Sequence, residues 1–511
     1  MRAIATAFLT VFAAAALPVR PAPAAPPARE ITVRECVAAA LLNNVEIAVS
    51  RDEKGIGDLG VPIEEAAFLP KFTGELSYSR TLMASSSAIT GTLAVGQTLY
   101  KADLGAEALL RTGARLSLSF ENQRQETDSF IALRSPEYTT ALTLSAQQPL
   151  LRNRGTRVTL APIGIARAGA AEKTAEWKAK VMDVVAAARI AFFALVAADR
   201  EVEVRRGAVT LAERLLQQVD ARIDAGTAAP IDRLPAVATA AARTEELLRA
   251  QAAAQGAQDD LKRILGARSE REWEERLLAV PGAGDIAPPG EDETVTAAMK
   301  RRPEVRAQAA RETQADLREL LARSRVRPSL DLSVSGGFSG LAGTPRESPF
   351  VPAGTTIAFE GNYRDSLREM VSGRYYNWFL GLKTEIPWRL ERERAEWARA
   401  RTNVDIQRLA AEGVATSVRT EVHKARRDLE SALARIDAAR LSAEAAKRKL
   451  DAEEAKLSVG RSTVPQVLQF QQDYSEALLS EVRARGDAQA AQTRLRRAVG
   501  SILDEEGIVL R

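Results

Sequence analysis

Residues 390–503 constrain this chain most: a very long run with helical periodicity breaks once, at Leu457-Ser-Val-Gly-Arg-Ser-Thr-Val-Pro465, and then resumes. From Val422 the small and apolar residues fall at Val422, Ala425, Leu429, Ala432, Ile436, Ala439, Ala443, Ala446 and Leu450, spaced by three and four in turn. That spacing is a coiled-coil seam, and because the seam is mostly alanine a partner helix can approach closely. Lys447, Arg448, Lys449, Glu453 and Glu454 lie off the seam and are expected in solvent. A helix from Glu391 to Leu457 would measure about 100 Å, too long for one compact domain. Gly460 suits the left-handed residue that ends a helix, and Pro465 suits the first turn of the next one, which then runs back along the first.

The same plan occurs earlier in the chain. A helical run over 157–225 breaks at Ala225-Gly-Thr-Ala-Ala-Pro230 and resumes to about Gly266. Gly226 therefore matches Gly460, which argues for two internal repeats. The returning run, 230–266, would reach only about 55 Å, and residues 293–326 form a further helix of about 50 Å. Stacked end to end, these two would match one long rod, leaving 465–503 and 32–68 to match the other. Between 267 and 292 lies a spacer rich in Pro and Gly, Val280-Pro-Gly-Ala-Gly-Asp-Ile-Ala-Pro-Pro-Gly290.

Elsewhere the period changes to two. Phe72, Gly74, Leu76 and Tyr78 alternate with Thr73, Glu75, Ser77 and Ser79. Similar alternation appears around Leu93-Ala-Val95, over Leu116–Phe120, and in Tyr138, Thr140, Leu142 and Leu144. It returns at Leu330, Leu332, Val334 and Phe338, and again at Tyr376, Trp378, Leu380, Leu382 and Ile386. Each pattern predicts a strand with one apolar and one polar face. The strand blocks are preceded by Pro70 and Pro328 and followed by Pro149 and Pro387. Tyr375, Tyr376, Trp378, Phe379 and Trp388 cluster at the last strand as an interfacial aromatic girdle would. A soluble sheet with an aromatic edge would also alternate. Four to six strands cannot close a membrane barrel, and an open edge in lipid leaves backbone groups unpaired. If the strands span a membrane, several copies of the chain must share the barrel.

The chain opens with Arg2 and the apolar run Ala3 to Leu17, followed by Pro21-Ala-Pro-Ala24, which reads as a secretory signal cleaved after Ala24. Beyond it no stretch of about twenty residues is expected to cross a bilayer as a helix. The formal charge is +4 and falls to +2 without Arg2 and Arg20, so nothing points to nucleic acid. Thr32-Val-Arg-Glu35 is a capping box that starts a first helix, Thr32 to Phe68. The single cysteine, Cys36, cannot form an internal disulfide and is expected to be a small buried side chain.

Several segments resemble the TolC-like outer-membrane efflux proteins (outer membrane factors). Glu35 to Asn44 is similar to the family's opening helix, and Ala67-Phe-Leu-Pro70 to its entry into the first strand. Gln148-Pro-Leu-Leu151 and Glu385-Ile-Pro-Trp388 resemble its returns from strand to helix, and Leu457 to Leu468 resembles the tip of its second hairpin. The resemblance implies a mixed α and β fold: long antiparallel helical hairpins plus membrane strands that contribute to a shared trimeric barrel of twelve strands. It further implies a homotrimer in outer-membrane lipid, with a helical tunnel in the periplasm of a Gram-negative bacterium. The partners implied are a periplasmic adaptor (membrane fusion) protein and an inner-membrane pump of RND or ABC type. The expected organisation is a signal peptide over 1–24, an N-terminal segment and first helix over 25–70, and a first barrel segment over 71–150. The first hairpin would then occupy 151–266, the spacer 267–292, a helix 293–327, a second barrel segment 328–388, the second hairpin 389–503 and a tail 504–511. Residues 90–123 suit either extra barrel strands or an extracellular hairpin.

Carried over from the family, the positions that constrict the closed pore are Gln466 and Gln469, which are neutral here, with Asp232 as the nearest retained carboxylate. The resemblance thus implies a weak cation preference and a gate held by packing and neutral hydrogen bonds, although glutamines that only solvate a helix start would look the same. The adaptor-docking tips would be Gly226, Thr227, Gly460, Arg461, Ser462 and Thr463, which read equally well as simple helix caps. The membrane girdle would be Tyr375, Tyr376, Trp378 and Trp388. Nothing suggests chemistry: His423 follows a seam residue, and the sequence holds no nucleotide loop, metal-ligand spacing or nucleophile motif. No cofactor or metal is expected, and the chain is read as a passive exit duct rather than an enzyme. The rival reading is an elongated coiled-coil tether of the cell envelope.

Overall fold

The computed structural model describes residues 28–84, 94–129, 131–227, 229–280, 291–346, 358–386 and 388–510. The proposed signal peptide and the spacer from 281 to 290 lie outside them. In chain order the elements are β1 (Ala28–Ile31), α1 (Val33–Asn43), α2 (Val45–Glu65), β2 (Lys71–Ala84), β3 (Ala94–Leu109), β4 (Arg115–Thr127) and β5 (Arg134–Pro149). There follow α3 (Thr156–Thr159), α4 (Ala161–Asp224), α5 (Arg233–Leu265), α6 (Glu270–Glu274), β6 (Arg276–Ala279), α7 (Glu291–Arg301), α8 (Pro303–Arg325) and β7 (Ser329–Pro345). The remainder is α9 (Tyr363–Val371), β8 (Tyr376–Glu385), α10 (Glu391–Ser458), α11 (Val464–Val499) and α12 (Ile502–Glu505). The chain divides into two compact units, one of 1–44, 184–288 and 428–493, the other of 45–183, 289–427 and 494–511.

In the first unit the helices pack along the expected seam. Leu429, Ala432, Ala439, Ala443 and Leu450 of α10 are buried. Arg435 of α10 pairs with Asp487 of α11 at 3.0 Å, and Arg483 of α11 with Glu201 of α4 at 3.1 Å. A second cluster joins Ile31, Cys36, Phe192, Leu195, Leu261 and Leu277. Cys36 is fully buried there, and burial pushes its thiol up to about 12, so it is inert. The capping box holds as read: the Glu35 amide donates to the Thr32 hydroxyl at 3.3 Å and the Thr32 amide to the Glu35 carboxylate at 2.8 Å. A parallel pair of β1 and β6, four residues each, was not foreseen and places a strand inside the supposed spacer.

Two expectations about the helices are corrected. The first helix is not continuous to Phe68; it breaks at Asn44, which is extended and donates its side-chain amide to the Ile264 carbonyl at 2.9 Å. The half-length helices also exchange partners. Gly266, at the end of α5, abuts Asn43 so closely that a Cβ would stand 2.5 Å from its carbonyl oxygen. In the second unit, Gly500, just past α11, lies against Arg301 and Arg302 at the start of α8. Thus α5 ends on the α1–α2 break and α11 ends on α8, opposite to the pairing drawn from lengths. Lengths could not decide, because either pairing sums to two similar rods. Each junction uses a glycine at positive φ, +78° at Gly266 and +85° at Gly500, where other residues are strained.

A further correction concerns membrane helices. One stretch of α4 has a mean hydropathy of 2.1 over eighteen residues and is long and apolar enough to cross a bilayer, contrary to the sequence expectation. Half of that window is buried, and Phe192 and Leu195 lie in the core cluster above. Its hydrophobicity is that of a core helix.

In the second unit, α8 is tied to α4 by Arg311, which donates to Glu172 and Glu176 at 2.6 Å each. Arg302, buried at 4% exposure, grips Glu304 at 2.9 and 3.1 Å and reaches Glu421 at 2.5 Å. Arg497 joins the same carboxylate of Glu304 at 2.7 Å and Asp183 at 2.7 Å. Burial opposes the charge on Glu304, but the hydrogen bonds from Arg302 and the charge of Arg497 outweigh it and hold the carboxyl at about 2. A depressed folded-state value stabilises the fold above the ordinary carboxylate range, and that contribution is lost as pH falls toward 2. The shift corresponds to about 3 kcal/mol. The melting temperature of the wild type should therefore drop between pH 4.5 and 2.5. Glu304→Gln should lower it at pH 7 and flatten the acid slope; an unchanged slope in thermal melts would contradict the role given to Glu304.

Candidate functional site

Two helical turns in the first unit hold the expected docking residues. At the first, Gly226 has φ +71°, its amide donates to the Ile223 carbonyl at 2.9 Å, and the Thr227 amide donates to the Arg222 carbonyl at 2.9 Å. At the second, Gly460 has φ +73°, and the amides of Gly460 and Arg461 donate to the carbonyls of Leu457 and Lys456 at 3.1 and 2.8 Å. Both are helix ends closed by a left-handed glycine, and at neither does a Cβ meet an atom within 4 Å. Arg222 brings the turns together, donating to the Leu457 carbonyl at 2.6 Å. Beneath them Leu215, Val219, Leu450, Leu457, Val464, Val467 and Leu468 form a shared apolar core.

The side chains of Gln466 and Gln469 are exposed, on the face of α11 opposite that core. Asp232 is exposed too, but its carboxylate already accepts the Ala229 amide at 3.2 Å and caps the turn into α5. A second carboxylate, missed in the sequence, stands one turn past Gln469: Asp473 accepts from the Gln469 amide at 2.9 Å. The i, i+4 spacing was its only signal.

Glu453, expected in solvent, is buried at 5% exposure. Its two oxygens take the Ser462 hydroxyl at 2.6 Å and the Lys456 ammonium at 2.9 Å. Those hydrogen bonds, Ser462 first, hold its carboxyl below the usual range. Within the chain, then, packing and charge-assisted hydrogen bonds hold the turns. Ser462 is thereby bound to the helix behind it, while Thr463, whose carbonyl accepts the Gln466 and Val467 amides at 3.1 and 3.2 Å, starts α11. His423 is exposed beside the buried Val422. Among the described residues no three His, Cys, Asp or Glu side chains are grouped to hold a metal.

In the second unit the strands form one sheet in the order β2-β3-β4-β5-β7-β8. Its register places Phe72, Ala106, Leu118, Leu144, Gly336 and Trp378 in one cross-strand row, and the next row holds Gly74, Leu104, Phe120, Leu142, Phe338 and Tyr376. The opposite face carries Thr73, Gly105, Ser119, Thr143, Gly337 and Asn377. The alternation read from the sequence thus becomes one largely apolar and one polar face; on the apolar side Asn122 and Thr140 are polar and are covered by α9, through Tyr363 at 2.8 Å and Ser366 at 3.0 Å. Many apolar side chains are bare, among them Phe72 at 82%, Leu76 at 87% and Trp378 at 75% exposure. Leaving them in water is costly, at roughly 25 cal/mol per Å².

The expected girdle divides between the faces. Tyr376 and Trp378 lie on the apolar face, whereas Phe379 pairs with Ser335 on the polar one. Tyr375 packs its ring against Phe359 at 5.4 Å, and Trp388 lies beyond the strand, 97% exposed. A second aromatic row was missed because it exists only in register: Tyr78, Tyr100, Arg124 and Tyr138 stand opposite one another on successive strands. Tyr78 and Tyr100 stack at 5.0 Å, and the Arg124 guanidinium sits 5.2 Å from the Tyr100 ring.

The chain thus combines a six-stranded antiparallel sheet with bare apolar side chains and long helical hairpins. Comparison with known proteins agrees. Residues 294–501 match the family model described as outer membrane efflux protein. Among solved structures, the outer-membrane channel OprN aligns over 92% of this chain and 90% of its own, with a TM-score of 0.66 and 17% identity. The CmeC outer membrane channel of Campylobacter jejuni covers 92% and 85%, with a TM-score of 0.65 and 15% identity. The MtrE outer membrane channel of Neisseria gonorrhoeae, in its open state, covers 92% and 89%, with a TM-score of 0.61 and 17% identity. No curated protein sequence matches the chain significantly. Residues 294–501 are thus similar to the outer membrane efflux proteins, and the fold is that of the outer-membrane channels named above.

The contacts at the second turn yield a direct expectation. Ser462→Ala removes a hydrogen bond to a charged group, a loss of about 1.5–3 kcal/mol. Hydrogen exchange of the amides over 456–466 should then accelerate roughly tenfold or more, with melting of the sheet unit unchanged; unaltered exchange would show that Glu453 does not hold the turn.

Proposed function

We propose that this protein is the outer-membrane channel-tunnel of a tripartite efflux or type I secretion system. Three copies share one β-barrel, and their helical hairpins form a duct. The single observation that carries this reading is the sheet: one face mostly apolar and largely exposed, the other polar, and the edge strands β2 and β8 each paired on one side only among the described residues. Such a sheet suits lipid on one side and water on the other, provided that further copies take up its edges. The similarity of residues 294–501 to the outer membrane efflux proteins supports the same reading.

The mechanism is passage without chemistry. No nucleotide-binding motif appears in the sequence, so energy comes from an inner-membrane pump, of RND or ABC type, through a periplasmic adaptor. The docking surface is formed by the two turns, with Gly226, Thr227, Gly460, Arg461, Ser462 and Thr463. Glycine at Gly226 and Gly460 lets the chain turn tightly with no side chain in the way of a neighbouring helix. Gln466 and Gln469 border the constriction, with Asp232 and Asp473 as the carboxylates near it. The two neutral glutamines make the cation preference weak.

Two outcomes test the proposal. Gly460→Leu, which strains a left-handed residue by about 1–2 kcal/mol and adds bulk at the tip, should abolish export in a complementation assay while the protein still assembles in the outer membrane. Normal export by this variant would refute the docking role. In planar bilayers the wild type should select cations only weakly, and Asp232→Asn combined with Asp473→Asn should weaken that preference further. Strong selectivity that survives both replacements would contradict the assigned constriction.

A further inference from the structure

Among the described residues the hairpin β3–β4 has no counterpart in the second strand block, where β7 and β8 are the strands. The family resemblance led to an expectation of twelve strands in the shared barrel, four from each copy. We propose instead that β3 and β4 are barrel wall, so that three copies, at six strands each, close a barrel of roughly eighteen strands. This rests on the three-copy channel proposed above.

Four observations support it. First, the inserted strands are paired on both sides: β3 is matched to β2 from Lys71↔Glu107 to Ala84↔Ala94, β4 to β5 from Arg115↔Gln147 to Gln125↔Glu137, and β3 to β4 from Gln97↔Thr127 to Leu109↔Arg115 with one interruption, where the Asn122 amide donates to the Asp103 side chain at 3.0 Å. Second, the faces of the inserted strands agree with those of their neighbours. Leu104, Leu116, Leu118 and Phe120 continue the apolar face, and Leu104 is 62% exposed there. Lys101, Ser117, Ser119 and Gln123 continue the polar face, where the hydroxyls of Ser117 and Ser145 are 2.5 Å apart. A hairpin standing in water would have no reason to bare leucines on the side where its neighbours face lipid. Third, the aromatic row through Tyr78, Tyr100, Arg124 and Tyr138 crosses the inserted strands without a gap. Fourth, an inserted pair of strands keeps the flanking strands antiparallel. Followed through the three registers, Phe72 stands in the row of Leu144, on the same face. Such an insertion widens the sheet without turning any side chain to the wrong side.

Barrel diameter grows roughly linearly with strand number, so the exit would be about 1.5 times as wide as one of twelve strands, in the range where porins hold an aqueous channel. The barrel would not be the narrow point of the duct, and solutes that pass the helical turns would leave freely.

The test uses the full-length protein in its membrane. Thr73 and Thr143 point to the polar side; they would be direct neighbours if β2 paired with β5, but with β3 and β4 between them they are about 14 Å apart. Ser117→Cys with Ser145→Cys should therefore form a disulfide on oxidation in outer-membrane vesicles, and Thr73→Cys with Thr143→Cys should not. Cys36 is buried and does not interfere. Electron cryomicroscopy of the wild type in nanodiscs should show about eighteen strands. A twelve-stranded barrel, or cross-linking of Thr73→Cys to Thr143→Cys, would overturn the proposal while leaving the channel intact. Absence of any shared barrel would instead overturn the channel reading itself.

Discussion

Backbone groups in hydrocarbon have no water to bond with, and each one left unpaired costs several kcal/mol. That constraint governs the sheet of this protein. Its apolar face is too exposed to be stable in water, and its two edge strands cannot be left open in lipid. The alternation of side chains, the long strand pairing and the presence of the same polar face on every strand all make sense if the sheet is one sector of a larger closed wall. The tether reading gives no reason for a sheet of this kind.

The helical unit obeys a different constraint, that of close approach. Alanines on the α10 seam and glycines at the helix ends remove side chains wherever backbones must lie near one another. Gly266 shows how tight this is: its Cβ position is blocked by the Asn43 carbonyl, and its φ of +78° is itself unfavourable for any other residue. Gly226 and Gly460 have the same backbone conformation with open space around them. The contrast separates glycines kept for packing within the chain from glycines at a free surface, where a partner can approach. Arg222 and Glu453 then fix the two open turns to one another and to the helices behind them, using charged groups that find partners within the chain.

Much of this was legible in the sequence, because it depends on local periodicity. The seam from Val422 to Leu450, the turn glycines, the Thr32–Glu35 cap and the parity of each strand all follow from spacing along the chain. Contacts between distant segments did not show. The exchange of partners between α5 and α8, the row from Tyr78 to Tyr138 and the place of β3 and β4 within the sheet are facts of register. Glu453 was misjudged for a related reason. It lies off the seam by spacing, yet the chain returns over it at Ser462, nine residues later, and covers it.

The central claim, that separate copies of this chain complete one another's sheet in a membrane, is tested most directly by native mass spectrometry of the protein extracted in detergent from outer-membrane fractions. The account predicts a mass of three chains that persists until the detergent is removed or the sheet unfolds. A monomer, or a protein recovered wholly in the soluble fraction, would contradict it.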